Sequence, residues 1–270
     1  MTTNRDFHDE RTARINSNAA DPALLDAAGG FLLESFRAKY SYNFDWLSRP
    51  IIQYPQDIVA MQELIWKVKP DLVLETGIAH GGSLVFSASI LALLDYCEAV
   101  EKGQTLDPRA TRRRVLGIDI DIRPHNRAQI EAHPMSHRID MLQGSSIAPE
   151  IIARVHSLTK GYERILVCLD SNHTHEHVLA ELEAYAPLTS RGSYCCIFDT
   201  MVEDLPNDMF LDRPWGKGDN PKTAVRQYLQ SLEKEGRTAS DGAPLKFEID
   251  KSIDRKLLLT VAPDGYLKRL

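Results

Sequence analysis

Two short apolar runs in this chain end in aspartate: ILVCLD closes on Asp170 and SYCCIFD on Asp199. Two further acids, Glu203 and Asp204, follow the second run. If the runs are neighbouring parallel strands, both carboxylates reach the same rim of the sheet. Clustered carboxylate oxygens are what Mg²⁺ or another hard cation requires, and such an ion can bind an alcohol oxygen, lower its pKa and orient it. Asp170, Asp199, Glu203 and Asp204 are therefore the candidate metal ligands. Beside Asp170 lies SNHTHEH, with His173, His175 and His177. Residues two apart on a helix diverge by about 200°, so the three cannot share one ion there. A single general base is the more economical role, suited to an imidazole of pKa about 6.5. His173, nearest the strand end, is the candidate, with Asp170 as its catalytic companion.

A second constellation is LVLETGIAHGGS, residues 72–83. An apolar run ends at Glu75 and enters a loop holding Gly77, Gly81 and Gly82, with Ser83 opening a long apolar stretch. In doubly wound folds ligands sit where strand ends meet helix N-termini, and glycine lets them approach the backbone. The glycine spacing alone also fits a relaxed dinucleotide fingerprint. Glu75 separates the two readings: a carboxylate there repels a pyrophosphate and suits a cationic ligand such as the methionine end of S-adenosylmethionine. GIDID (117–121) places Asp119, with Asp121 in reserve, where an acid can accept hydrogen bonds from ribose hydroxyls. QGSS (143–146) offers Ser145 and Ser146 beside the adenine, or a plain helix cap.

These residues need a scaffold that gathers strand ends. DLVLE (71–75), VLGID (115–119), RIDMLQG (138–144), ILVCLD (165–170) and SYCCIFD (193–199) alternate with helix-like stretches over 56–69, 83–100, 149–158 and 174–185. Short apolar runs alternating with helices predict a parallel sheet covered on both faces. LKFEIDK (245–251) and KLLLTVA (256–262) are joined by a link too short for a parallel crossover, which predicts an antiparallel hairpin. The expected fold is a doubly wound, Rossmann-like α/β domain with a seven-stranded sheet, that of class I methyltransferases, over residues 55–270. An N-terminal helical extension and loop occupies 1–54. In it, residues 1–20 form an arm or a leader to a helix, and Gly29–Gly30 divide 22–40 into two short helices. The long connection 205–222, with Phe210 and Trp215, is expected to help form an acceptor pocket or an oligomer contact.

The chain has 270 residues and a formal net charge of −6, with 43% hydrophobic and 26% charged residues. That suffices for one sizeable domain and supplies no basic field for nucleic acid. The run RATRRR (109–114) is expected to be a solvated loop. Cys97, Cys168, Cys195 and Cys196 lack metal-binding spacing. No stretch approaches the roughly 20 apolar residues of a membrane span, and a polar N-terminus points to a cytoplasmic protein without membrane insertion.

ETGIAHGGS, LDSNHTHEHVLAELEAYAPL, GSYCCIFDT, RPWGKGDNPKTAV and VAPDGYLKRL resemble the cephalosporin hydroxylase family, from about residue 42 to the C-terminus. That family has a Rossmann-type methyltransferase fold and includes rhamnosyl O-methyltransferases. The resemblance implies S-adenosylmethionine bound around Glu75, Gly77, Gly81, Ser83 and Asp119, a divalent metal held by Asp170 and Asp199, and a homo-oligomer. Phe198 stands where the resemblance implies a second acid, which leaves Thr200, Glu203 or Asp204 to replace it. Catechol-type methyltransferases, also similar around the Gly-rich loop, carry their base three residues after the first metal aspartate, where His173 stands. The implied reaction is metal-assisted methylation of a sugar hydroxyl in a glycolipid, polysaccharide or natural product. Alternatives are a β-lactam-type hydroxylase using iron on His173, His175 and Asp170, a nicotinamide oxidoreductase, and a non-catalytic S-adenosylmethionine-binding subunit.

Overall fold

The computed structural model describes residues 4–270; residues 1–3 of the expected arm lie outside the described residues. The chain opens with two helices, α1 (Asn4–Asn18) and α2 (Pro22–Arg37). A small antiparallel hairpin follows, β1 (Phe44–Trp46) and β2 (Arg49–Ile51), and then helix α3 (Pro55–Val68). Helix α2 is continuous through Gly29 and Gly30, correcting the expected break. Two mid-helix glycines cost only about 1 kcal/mol each, and Asp21 caps the N-terminus by accepting from the amides of Ala23 and Leu24.

The body alternates strand and helix: β3 (Leu72–Thr76), α4 (Gly82–Lys102), β4 (Arg114–Asp119), α5 (Pro124–Glu131), β5 (Ile139–Gln143), α6 (Pro149–Leu158), β6 (Ile165–Leu169), α7 (His175–Tyr185) and β7 (Tyr194–Ile197). Helix α8 (Pro221–Glu235), β8 (Phe247–Ile249), α9 (Lys251–Leu257) and β9 (Tyr266–Arg269) complete it. The seven-stranded sheet runs β5-β4-β3-β6-β7-β9-β8. The first five strands in this order are parallel and β9 is antiparallel to both its neighbours. β3, β6 and β7 are buried at every residue, as expected for strands covered on both faces. One core joins β3 to α3 and α4 through Val73, Leu84 and Ile65; the other joins the opposite face to α7 and α8 through Leu74, Leu182 and Tyr228.

The expected C-terminal antiparallel pair is present, but its second strand is β9 and not residues 256–262. Asp250 caps α9 by accepting from the amide of Ser252, and Leu258 adopts a left-handed φ of 60°. The following apolar residues, Leu259, Val261 and Ala262, enter the core as a loop. Asp57 of α3, wholly buried, fixes that loop: its carboxylate accepts from Thr260 Oγ1 at 2.5 Å, Val261 N at 3.0 Å and Tyr266 Oη at 2.8 Å. Asp57→Ala would orphan three donors and is expected to destabilise the protein by about 3 kcal/mol, seen as a Tm lower by several degrees in thermal unfolding.

Two other expectations change. Arg113, in the run expected to be a solvated loop, is buried and pairs with Asp95 and Glu98, while Arg138 pairs with Asp95 at 2.6 Å. Helix α4 spans 21 residues and, alone among the described helices, is long and apolar enough to cross a membrane. Ten of its first thirteen residues, Gly82, Leu84–Leu91 and Leu94, are buried, because the parallel sheet needs a helix with a broad apolar face.

Candidate active site

The strand order reverses at β3: β4 and β5 lie on one side, β6 and β7 on the other. The crevice at such a switch point is where open α/β sheets bind ligands. Here the ends of β3 and β6 approach so closely that a Cβ on Gly77 would sit 2.1 Å from the Asp170 carbonyl oxygen, and Gly77 has φ +90°. Only glycine satisfies both conditions. Gly81, also at positive φ, starts α4 with its missing side chain against Ile130.

Glu75, 4% exposed, lies under this loop and accepts a hydrogen bond from Ser83 Oγ. Burial pushes its carboxyl up to about 7, with the Ser83 bond opposing. Asp119, at the end of β4, accepts from the amides of Ile78 at 2.8 Å and Ala79 at 3.2 Å through one oxygen and from Asp121 N at 3.0 Å through the other. An ionised carboxylate has about four acceptor positions, so capacity for a ligand hydroxyl remains. A cavity of about 130 Å³ opens here; Gly77, Ile78, Ser83, Asp119 and Asp170 line one side, and residues 50–53 the other. That second wall comes from the N-terminal segment and carries no local sequence signal; the chain boundary expected at 54/55 thus runs through the pocket.

Asp170 continues from the cavity into a second cluster. One ligand atom each from Asp170, His173 and Asp199 lies within 4.8 Å of the others, and His173 Nε2 is 3.1 Å from Asp199 Oδ2. Asp199 turns the chain with φ +54°, a strained conformation for a non-glycine residue and of the kind that collects at functional sites. Burial, then the charges of Asp199, Glu75, Glu181 and Asp57, raise the Asp170 carboxyl well above the usual carboxylate range. Among the described residues no lysine or arginine pairs with Asp170 or Asp199, whose ion-pair contact is with His173. The surplus negative charge of the two carboxylates fits a hard divalent cation, with the His173 imidazole standing beside it. Trp215, from the 205–222 connection, stands edge-on to His173 at 4.8 Å between ring centres and carries Arg213 over its ring. Phe210, from the same connection, is buried against Phe36.

Several candidates are engaged elsewhere. Glu203 accepts from Gly218 N at 2.8 Å and Asn220 Nδ2 at 2.6 Å, and Asp204 pairs with Lys222 Nζ at 2.5 Å, so neither joins the cluster. Proximity in sequence misled here, because the chain coils after Asp199 into a short 3₁₀ turn. Thr200 donates to the Pro263 carbonyl. His175 is bonded to Thr223 Oγ1 and Gln227 Oε1 on α8, which leaves the two-histidine iron triad unassembled. His177 lies 3.0 Å from Ser146 Oγ and 3.3 Å from Ser171 Oγ, in a network closed by Glu181. Ser146 is buried and its carbonyl accepts from Tyr185, while Ser145 is half-buried in the turn after β5.

A doubly wound sheet of this order, with a Gly-rich loop at its switch point and acids on the adjoining strand ends, defines a class I methyltransferase architecture. The chain belongs to the Rhamnosyl O-methyltransferase/CmcI family, whose model matches residues 38–270. A rhamnosyl O-methyltransferase of Mycobacterium tuberculosis is 28% identical over 218 residues, 79% of this chain and 73% of the relative. One from Mycobacterium leprae is 27% identical over 246 residues, 88% and 90% respectively. Among solved structures, CmcI with Mg and SAM superposes with a TM-score of 0.52 at 14% identity, over 85% of this chain and 77% of that one. Ligand-free CmcI gives 0.53 at 17% identity over the same shares.

Proposed function

We propose that this protein transfers a methyl group from S-adenosylmethionine to a hydroxyl of a sugar, with a divalent metal, Mg²⁺ foremost, assisting. The observation that carries the proposal is the continuity of the two clusters: Asp170 both lines the Gly-rich crevice and belongs to the Asp170–His173–Asp199 group. Membership of the family and the names of its mycobacterial relatives support the sugar acceptor. Asp170 and Asp199 would hold the metal, which supplies a Lewis acid that lowers the pKa of the acceptor hydroxyl. Glu75 and Asp119 hold the cofactor's cationic end and ribose. His173 Nε2 takes the hydroxyl proton, and Asp199 beside it stabilises the imidazolium formed. Trp215 restricts the ring plane of His173 and, with Arg213, forms the acceptor side of the site. The oxygen then replaces the sulfonium at the methyl carbon, leaving S-adenosylhomocysteine. In-line positioning and fixed charges provide most of the acceleration, because the sulfonium already activates the methyl. A homo-oligomer working in the cytoplasm is part of the same proposal, and the four free thiols suit a reducing compartment.

The test is a panel of free, lipid-linked and nucleotide-linked rhamnose and related deoxysugars incubated with methyl-labelled S-adenosylmethionine. Label is expected in one acceptor class in the presence of Mg²⁺, with EDTA removing it. His173→Ala is expected to lower kcat by about 10²–10³-fold. Transfer that survives both EDTA and loss of His173 would contradict the proposed chemistry.

A further inference from the structure

The Gly-rich loop is held from two sides, and one side belongs to the N-terminal hairpin. Its backbone is difficult to maintain: Gly77, Ala79 and Gly81 all have positive φ, and Ala79, at +45°, has no glycine to excuse it. Asp119 gathers the amides of Ile78 and Ala79 on one side. On the other, Arg49, 6% exposed, aims its guanidinium at the loop's carbonyls. Arg49 Nε donates to the His80 carbonyl at 3.0 Å, and Nη2 donates to the same oxygen. Nη1 donates to Gln129 Oε1 on α5, and Nη2 lies 3.3 Å from Asn126 Oδ1. Asn126 Nδ2 in turn donates to the Ala79 carbonyl at 3.0 Å.

The hairpin carrying Arg49 also supplies the pocket's far wall, residues 50–53. It lies so close that a Cβ on Gly82 would sit 2.2 Å from the Pro50 carbonyl oxygen. The geometry points to Arg49 as a positioning residue for cofactor binding: with Asn126 it clamps the Gly-rich loop and sets the distance between the two walls of the pocket. This inference rests on the reading of that loop as the cofactor cradle. A rigid fork of charged donors suits the task, because one side chain can bridge a loop carbonyl and two helix side chains. Preorganising the loop lowers the ordering cost of binding. The clamp therefore acts on affinity for the cofactor and touches no reacting atom.

The test uses the full chain with Arg49→Met, Arg49→Lys and Asn126→Ala, read in two ways. Hydrogen exchange on ligand-free protein is expected to show the amides of residues 77–82 exchanging at least tenfold faster in Arg49→Met, with β3 and β4 unchanged. Calorimetric titration is expected to show S-adenosylhomocysteine binding at least tenfold more weakly, about 1.4 kcal/mol, with Arg49→Lys in between because it keeps the charge and one donor to His80. Asn126→Ala is expected to show the same pattern more weakly, and it carries the test if Arg49→Met does not fold. Wild-type exchange in the loop and wild-type affinity in a folded variant would overturn the inference, as would acceleration spread evenly over the sheet. Fast loop exchange together with no binding by the wild type would leave the clamp standing and remove the cofactor reading instead.

Discussion

Asp170→Asn is expected to reduce kcat/KM for methyl transfer at least a thousandfold, about 4 kcal/mol, while the ligand-free protein becomes more heat-stable. The two effects share one cause. Asp170 sits among Asp199, Glu75, Glu181 and Asp57 without a cationic side chain to offset them, so its ionised form is disfavoured in the folded protein. For a carboxyl raised in this way, the favourable contribution to stability is complete below the unfolded-state pKa. It is lost as pH rises through the folded value. Asparagine keeps the shape and removes the charge, so Tm at neutral pH rises. The same substitution takes away a carboxylate that a divalent cation and an acceptor hydroxyl both require, so activity falls. Differential scanning calorimetry and a methyl-transfer assay on one preparation check both halves. A variant that is less stable and fully active would contradict the assignment.

Glu75→Gln is expected to weaken S-adenosylmethionine binding at least a hundredfold, about 2.7 kcal/mol. Burial raises this carboxyl from 4.5 to about 7, so a large share of the ligand-free protein carries it neutral near physiological pH. A cationic ligand selects the ionised form. Wild-type affinity should therefore rise between pH 6 and 8 and level off above, and Glu75→Gln should lose that slope. Without ligand the sign reverses: the raised pKa favours the folded state below about 4.5. That contribution, roughly 3 kcal/mol at most, disappears as pH climbs through 7. Calorimetric titration and thermal unfolding across pH 5–9 measure both trends. A pH-independent affinity would reject Glu75 as the partner of the ligand's positive end.

Much of this scaffold was legible because parallel strands covered on both faces leave an unmistakable record. VLGID and ILVCLD fall on β4 and β6, and α6 matches residues 149–158. What failed has local causes. KLLLTVA carries the composition of a strand, yet the cap at Asp250 and the buried carboxylate of Asp57 direct it into a helix end and a core loop. Gly29–Gly30 did not break α2, because two glycines cost only about 1 kcal/mol each and the residues on either side are good helix formers. At the site, residues on strand ends came together as their spacing required, while Glu203 and Asp204 did not. Their partners Asn220 and Lys222 cap and open the later helix α8, and nothing near them in sequence announces the pairing. Arg49 was illegible for the same reason: its acceptors lie 31 to 80 residues away. Of the histidine run, His173, the one chosen as candidate base, stands beside Asp199, whereas His175 bonds to α8 and His177 joins a polar network with Ser146.

The most direct measurement is calorimetric titration of metal-stripped protein with S-adenosylmethionine and S-adenosylhomocysteine, with and without Mg²⁺, in the wild type and in Glu75→Gln and Asp119→Ala. Saturable one-to-one binding of both ligands by the wild type, lost or severely weakened in the two variants, is expected. No binding of either ligand to folded wild-type protein, under either metal condition, would contradict the methyltransferase assignment.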